Sequence, residues 1–300
     1  MAEPGWSAWP APAKLNLFLH VTGRRPDGYH LLQTVFQLLD RGDEVRVRLR
    51  TDGRIVRLRG AAGVAAADDL VVRAAHALAA RHGPVPGADL DVDKQIPLGG
   101  GLGGGSSDAA TTLVALNLAW GLGLGEDALA ALGLALGADV PVFVRGRSAW
   151  AEGVGEELVP VALPEAWFVV LDAGQPVATR DVFQAPELTR NSARTTISRF
   201  LAGEATRNDL EPVVRARHPR VAAALDWLGA QAPARMTGSG GCVFATVRDE
   251  SIARRIAERC PAPWTAFVAR GVAESPLRVA ARRWQDSGRT VGSAGTSPSW

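Results

Sequence analysis

The stretch QIPLGGGLGGGSSDAA, residues 95–110, places six glycines in the seven positions from Gly99 to Gly105. A backbone without side chains can approach a ligand closely and reach conformations that other residues avoid. DLDVDKQIP before the glycines predicts a short strand, and SSDAATTLVALNLAW after them predicts a helix capped by a serine or Asp108. The glycines therefore join a strand to a helix N-terminus, where free N–H groups and the helix dipole favour an anion such as phosphate.

The spacing of the glycines distinguishes three kinds of phosphate loop. A Walker A loop needs a lysine directly before the hydroxyl residue, and Gly105 occupies that position. A dinucleotide-binding GxGxxG can be traced through the run, but the acidic residue expected about 20 positions on should end a second strand. Glu126 instead opens a predicted helix. The third pattern, P-x-G-G-G-L-G-x-S-S of small-molecule kinases, matches with one additional glycine.

A second candidate region is PAKLNLFLHVT, residues 12–22, whose alternating apolar residues predict a strand. Lys14 and Asn16 lie two positions apart and therefore project to the same side. Only Lys14 and Lys94 of the 33 basic residues are lysines, which are compact point charges unlike arginine. Asp139 follows a helix predicted to end near Gly137 and precedes a segment predicted to be extended because of its proline.

Elsewhere the chain alternates strand and helix patterns. DEVRVRLRTDGRIVRLRG predicts a hairpin around an Asp-Gly turn, with its arginines on the solvent face. Loss of periodicity in ELVPVALPEAW predicts a domain border within 156–166. We therefore divide the chain into an N-terminal domain with the glycine loop (1–160), a C-terminal domain (161–286) and a polar tail expected to be disordered (287–300).

The composition limits the class of protein. The 300 residues are 47% hydrophobic and 21% charged, as in ordinary globular proteins, and the net charge of +2 is too small to indicate nucleic-acid binding. No apolar run approaches the ~18 residues needed to cross a bilayer. With no secretory signal, and with Cys242 and Cys260 too few for a disulfide scaffold, we expect a cytoplasmic protein that binds neither nucleic acid nor membranes.

The glycine pattern resembles that of the GHMP kinases, named for galactokinase, homoserine kinase, mevalonate kinase and phosphomevalonate kinase. PAKLNLFLHVTGRRPDGYHLLQTVFQLLD, GADVPVFVRG, AEGVGE and MTGSGGCVFA also resemble, in the same order, one branch of that family. The resemblance runs from about Trp9 to about Arg278. It implies an α+β fold of two GHMP kinase domains, the first like domain 2 of ribosomal protein S5 and the second ferredoxin-like.

The resemblance also implies an activity. The branch uses ATP to phosphorylate the 2-hydroxyl of a cytidine diphosphate-linked methylerythritol, in the non-mevalonate pathway to isoprenoid precursors. Phosphoryl transfer requires a held triphosphate, charge neutralisation and a base for the hydroxyl proton. The implied catalytic pair is Asp139 as base and Lys14, which orients it and stabilises the transferring group.

The remaining site residues are implied by the same resemblance. Tyr29, the chain's single tyrosine, and Phe183 would stack on cytosine, His30 would bond its edge, and Asn16 and Thr179 would contact the rest of the substrate. Asp69 stands where the family commonly has asparagine. ATP would be bound by Lys94, on the purine side, and by Pro97, Leu98, Gly99, Gly100, Gly101, Leu102, Gly103, Gly104, Gly105, Ser106 and Ser107.

Magnesium would accompany ATP, held by phosphate oxygens and by Ser106 or Ser107, and the sequence assigns no acidic ligand to it. Two other functions stay open. One is a GHMP kinase of the mevalonate or homoserine type, in which GRRPDGYH would have no cytidine to read. The other is an ATP-binding protein without catalysis, in which we would expect Lys14 or Asp139 to be lost. The sequence is compatible with a monomer or a homodimer.

Overall fold

A computed structural model describes residues 5–288 of the chain. Residues 289–300, which make up most of the tail predicted to be disordered, lie outside the described residues. The strands are β1 (Trp6–Arg24), β2 (His30–Arg50), β3 (Ile55–Arg59), β4 (Gly87–Asp93), β5 (Ala149–Glu152), β6 (Glu157–Pro160), β7 (Trp167–Asp172), β8 (Ala234–Met236), β9 (Cys242–Val247) and β10 (Thr265–Val272). The helices are α1 (Leu70–His82), α2 (Gly104–Ala119), α3 (Glu126–Leu134), α4 (Val140–Arg145), α5 (Thr179–Gln184), α6 (Ile197–Leu201), α7 (Glu211–Arg217), α8 (Pro219–Gly229), α9 (Glu250–Glu258) and α10 (Pro276–Asp286).

Two long strands organise the sheet. β1 and β2 pair antiparallel along almost their whole length. The strand order around them is β3-β4-β2-β10-β7-β9-β8, with β5 also paired to β2. β10 reaches β2 through Gly271 and Val272, which pair with Leu39 and Leu38. The N-terminal and C-terminal strands are therefore joined into one continuous hydrogen-bonded sheet.

The predicted hairpin between β2 and β3 is wrong. β4 lies between these strands, antiparallel to β2 and parallel to β3. Asp89 of β4 accepts hydrogen bonds from Arg48 and Arg50 of β2, and Asp91 pairs with Arg59 of β3. Three of the arginines predicted to face solvent, Arg48, Arg50 and Arg59, are thus paired with carboxylates of the strand between them, which a pattern confined to neighbouring residues could not reveal.

Separate apolar cores lie on the two parts of the sheet. Leu78, Leu113 and Phe143 belong to the core formed by β1, β2 and β4 with α1, α2 and α4. A second core lies among β7, β9 and the helices α7 to α9. Helix α10 returns to the first core, where Trp284 lies 5.2 Å from Trp9 between ring centroids. The domain border near residue 160 stays a prediction.

In residues 5–288, every helix is too short or too polar to traverse a lipid bilayer.

Candidate active site

The glycine loop connects β4 to α2, as the sequence predicts. The helix begins at Gly104, and its N-cap is Gly103, which has a φ of 72° and makes no side-chain cap hydrogen bond. The predicted cap by a serine or Asp108 is therefore wrong, because these residues lie inside the helix. Gly99 and Gly101 also have positive φ, which only glycine adopts readily. The loop leaves the first N–H groups of α2 without a side-chain cap, as an anion site requires.

A second glycine turn, residues 237–241, packs against the back of this loop. A Cβ added at Gly101 would lie 2.2 Å from the carbonyl oxygen of Thr237, and one added at Gly241 would lie 2.6 Å from that of Gly99. Thr237 Oγ1 donates to the Gly101 carbonyl at 3.2 Å. The two turns approach so closely that neither accommodates a side chain at these positions, so the second turn fixes the shape of the first.

In front of the loop lies a cavity of about 400 Å³. It runs from the glycine loop, past the middle of β1 and the N-terminus of α4, to helix α5. The lining includes most of the predicted site residues, together with several that the sequence did not indicate. The lining residues are Lys14, Asn16, Leu19, Leu32, Thr34, Phe36, Lys94, Pro97, Leu98, Gly99, Gly100, Gly101, Leu102, Gly103, Gly104, Gly105, Ala138, Asp139, Val154, Gly155, Thr179, Phe183, Leu210 and Ser239.

Lys14 and Asp139 meet in this cavity. Lys14 Nζ lies 3.3 Å from Asp139 Oδ2, and the side chains are 3% and 32% exposed. The ammonium also donates to Asn16 Oδ1 at 2.6 Å and to the Gly101 carbonyl at 3.1 Å. Phe36 presents its ring 5.3 Å from Nζ. The buried cation is thus held between the glycine loop and a carboxylate that stays open to the cavity.

The segment after Asp139 forms helix α4, so the prediction that it is extended is wrong. Pro141 lies in the first turn of that helix. Proline is favoured there because its fixed φ suits a helix and its missing N–H would have no partner. Asp139 occupies the N-cap position, yet its side chain makes no cap hydrogen bond. Its carboxylate is therefore left to face Lys14.

Asn16 lies beside Lys14, on the side predicted from the alternation in β1. Its side-chain nitrogen donates to Thr34 Oγ1 at 2.9 Å, and its backbone N–H donates to Thr237 Oγ1 at 3.0 Å. The sequence did not indicate a role for Thr34 or Thr237, although both lie in stretches that resemble the family. Together they connect β1, β2 and the second glycine turn around the lysine.

The aromatic residues predicted to bind a base take different positions. Phe183 and Thr179, both of α5, line the cavity. The ring of His30 lies 5.1 Å from that of Phe183, with 31° between their planes. Tyr29 is 65% exposed and outside the lining residues. His30 and Phe183 thus form a paired surface, while stacking by Tyr29 stays a prediction.

Arg190 is an additional residue of this region that the sequence did not indicate. Its Nε donates to His30 Nε2 at 3.1 Å, and it also donates to the carbonyl of Phe183 at 3.0 Å. Burial, followed by the positive charges of Arg190 and Arg24, lowers the pKa of His30. The ring is therefore neutral near pH 7, and because Nε2 accepts, Nδ1 carries the proton.

Lys94 and Asp69 are both engaged by other side chains. Lys94 lines the cavity, and its Nζ lies 2.5 Å from Asp43 Oδ2 and 2.7 Å from Asp108 Oδ2. Asp69 caps α1 and pairs with Arg57 at 2.5 Å. A contact of Lys94 with the purine stays a prediction.

The donors available to a metal ion are few. Asp139 is the carboxylate among the lining residues, and residues 5–288 contain no cluster of three or more His, Cys, Asp or Glu suited to a metal. Ser107 is fully buried and, like Ser106, is not a lining residue. This donor set fits a magnesium ion held chiefly by the phosphate oxygens of a nucleotide.

Asp108 should make stability depend on pH. Its pKa is raised to about 7, chiefly by burial, with Lys94 opposing the rise and Asp43 adding to it. In the unfolded chain the carboxyl titrates near 4, so its contribution to stability is full below about pH 4 and is lost as the pH rises through about 7. When the pH is raised from 5 to 8, the free energy of unfolding of the wild type should fall by on the order of 2 kcal/mol more than that of Asp108→Asn. Thermal unfolding of both proteins at pH 5 and pH 8 measures this difference. An equal change in stability with pH in the two proteins would contradict the prediction.

Comparison with known proteins agrees with this fold and site. The family model of the GHMP kinases N terminal domain matches residues 69–147, and that of the GHMP kinases C terminal domain matches residues 194–266. The chain is therefore a member of the GHMP kinase family, and its predicted two-domain α+β fold is confirmed.

Individual relatives show to which branch of the family the chain belongs. The 4-diphosphocytidyl-2-C-methyl-D-erythritol kinase of Halorhodospira halophila is 58% identical over 277 residues, 91% of this chain and 96% of the relative. A crystal structure of 4-(cytidine 5'-diphospho)-2C-methyl-D-erythritol kinase matches with a TM-score of 0.78 and 36% identity, covering 89% of this chain and 100% of that one. Methanococcus jannaschii mevalonate kinase, 14% identical with a TM-score of 0.63 over 89% of this chain and 98% of its own, shares the fold alone. Within the GHMP kinases, the chain belongs to the 4-diphosphocytidyl-2-C-methyl-D-erythritol kinases.

Proposed function

We propose that this chain transfers the γ-phosphoryl group of ATP to the 2-hydroxyl of 4-diphosphocytidyl-2-C-methyl-D-erythritol, giving the 2-phosphate and ADP. The observation that carries the proposal is the Lys14–Asp139 pair, which lies 3.3 Å apart in the cavity lined by the glycine loop and by Phe183. A phosphoryl donor bound on the loop and an acceptor bound near Phe183 would meet at this pair. The names of the relatives supply the acceptor's identity.

The glycine loop binds the triphosphate in this proposal. The N-cap of α2 carries no side chain, and loop residues 99–105 line the cavity. Backbone N–H groups at a helix N-terminus bind phosphate oxygens and orient them for reaction. Magnesium bound to those oxygens would neutralise their charge. The loop itself has no group that could accept a proton, so the chemistry requires other residues.

Asp139 and Lys14 act on the acceptor and the transferring group. The Asp139 carboxylate accepts the proton of the substrate hydroxyl while the hydroxyl oxygen attacks the γ-phosphorus. Lys14 Nζ, held by Asn16 and the Gly101 carbonyl, lies between the base and the loop, where negative charge shifts during transfer. The phosphoryl group passes directly from ATP to the acceptor in line, without a phospho-enzyme intermediate.

The cytidine end is bound by the surface around Phe183 and His30. A pyrimidine offers a flat face for stacking and a hydrogen-bonding edge. Phe183 supplies the ring, and His30, whose protonated Nδ1 is a donor, reads the edge. Asn16 and Thr179 contact the rest of the substrate. Tyr29, although exposed, lies next to His30 and stacks on the base from the open side.

The experiment that tests the function measures ATP turnover with different acceptors. The purified chain should phosphorylate 4-diphosphocytidyl-2-C-methyl-D-erythritol with a kcat/KM at least ~10³-fold above that for mevalonate or homoserine, because those acceptors leave the base-binding surface unused. A preference for mevalonate or homoserine would refute the proposed acceptor. Binding of ATP without turnover of any acceptor would favour the non-catalytic alternative.

Removing the ring of Phe183 should weaken the binding of one substrate only. Phe183→Ala should raise the KM for the cytidyl substrate by about 10-fold or more, since stacking on a base contributes roughly 1–3 kcal/mol. The KM for ATP should change little. Phe200→Ala, which removes a ring packed against Phe18 outside the cavity, is the matched control. Equal effects of the two variants on the cytidyl substrate would contradict the assignment.

The cytoplasmic location and the monomeric or dimeric state stay predictions from the sequence.

A further inference from the structure

Asp43 connects β2 to the segment that enters the glycine loop. Its side chain is fully buried. One oxygen, Oδ1, accepts the backbone N–H groups of Gln95 at 2.6 Å and Ile96 at 2.7 Å. The other, Oδ2, accepts from Lys94 Nζ at 2.5 Å. A single carboxylate therefore fixes three consecutive residues just before the glycines, and the N–H groups of Gln95 and Ile96 would lose their acceptor without it.

Lys94 extends this connection to the far end of the loop. Its Nζ also donates to Asp108 Oδ2 at 2.7 Å, within the first turns of α2. The ammonium thus links the chain before the loop to the helix after it, across 14 positions. Lys94 and Asp43 also lie against Gly104, where an added Cβ would be 3.3 Å from both Lys94 Nζ and Asp43 Oδ2.

A role limited to stability does not account for this placement. Burying two carboxylates and an ammonium is costly, and apolar residues of similar size are often as stable or more stable. Asp89 shows the usual arrangement in this sheet, a carboxylate paired with arginines on the neighbouring strand. The group at Asp43 differs, because two of its contacts are to the backbone entering the loop and its cation lines the cavity.

We propose that Asp43, Lys94 and Asp108 form a clamp that holds both ends of the glycine loop in the shape required for the triphosphate before ATP binds. Asp43 is the positioning residue, since it acts through the loop backbone and Lys94. A preset loop needs no ordering when the nucleotide arrives, which strengthens binding. The inference rests on the proposed function, because it assumes that the glycine loop is the ATP site.

The test measures the Kd of a non-hydrolysable ATP analogue by calorimetry with the full chain. In Asp43→Asn an amide NH₂, which is a donor, faces either the backbone N–H groups or the Lys94 ammonium, so one set of contacts is lost. The Kd should therefore rise at least ~10-fold. Asp89→Asn, which removes a buried carboxylate of the neighbouring strand away from the loop, should leave the Kd within about twofold. In turnover, the KM for ATP should rise while that for the cytidyl acceptor stays nearly constant.

Asp108 provides a second test should Asp43→Asn not fold. Asp108→Ala should weaken analogue binding, and Asp108→Asn should restore it, because the amide oxygen can still accept from Lys94. A folded Asp43→Asn protein with wild-type affinity, equal losses in Asp43→Asn and Asp89→Asn, or equal affinities in the two Asp108 variants would each overturn the clamp. Because analogue binding needs no acceptor, failure to phosphorylate the cytidyl compound would refute the proposed function and leave the clamp standing.

Discussion

Replacing Asp139 with asparagine should lower kcat by about 10²-fold or more, with little change in the affinity for ATP. The amide keeps the size and position of the side chain but cannot accept the hydroxyl proton. Lys14 remains fixed by Asn16 and the Gly101 carbonyl, so the loop should keep its shape. Steady-state turnover with the cytidyl substrate and calorimetry with an ATP analogue measure the two quantities separately.

The control for this variant is Asp127→Asn on helix α3. Asp127 is 90% exposed and pairs with Arg145, away from the cavity lining. Its loss should leave kcat within about twofold of wild type, because exposed ion pairs contribute little. A wild-type kcat in Asp139→Asn would remove Asp139 from the role of base, and a large loss in Asp127→Asn would show that the assay reports general damage.

Gly101→Ala should abolish binding of the ATP analogue and lower the thermal unfolding midpoint by on the order of 10 °C. Gly101 has a φ of 75°, and an added Cβ would lie 2.2 Å from the Thr237 carbonyl oxygen. Backbone cannot move aside as a flexible side chain can, so the two glycine turns would have to separate. Because Lys14 donates to the Gly101 carbonyl, the separation would also displace the Lys14 ammonium.

Gly105→Ala is the matched control within the same glycine run. Gly105 lies in helix α2, and the nearest atom to an added Cβ is a methyl carbon of Leu70 at 3.6 Å. Alanine is favoured over glycine in a helix by roughly 0.5–1 kcal/mol, so this variant should be as stable as wild type or more stable. If Gly101→Ala and Gly105→Ala had the same thermal unfolding midpoint, the close approach at Gly101 would not constrain the loop.

Local patterns predicted the parts of the site that lie within one segment. The alternation in residues 12–22 correctly placed Lys14 and Asn16 on one side of β1. The patterns on either side of the glycines correctly predicted a loop from a strand into a helix. These predictions succeed because strand alternation and glycine conformation are properties of neighbouring residues.

Contacts between distant segments could not be predicted in this way. β4 lies between β2 and β3, where its carboxylates pair with arginines of both strands, and parallel pairing leaves no local turn to mark it. Thr237 contacts Asn16 from 221 positions along the chain. The extended prediction for residues 140–145 failed for another reason, since proline restricts the residue before it but also favours a helix start.

The packing of the second glycine turn against the first has a consequence for synthesis of the protein. Lys14 leaves the ribosome early, whereas Thr237, which shapes the loop that Lys14 contacts, is made more than 200 residues later. Helix α10, with Leu277 in the first core, follows later still. A nascent chain that ends between the two glycine turns therefore carries Lys14 and the glycine loop, but not the surface that shapes the loop. In such a chain the proposed nucleotide site is therefore incomplete.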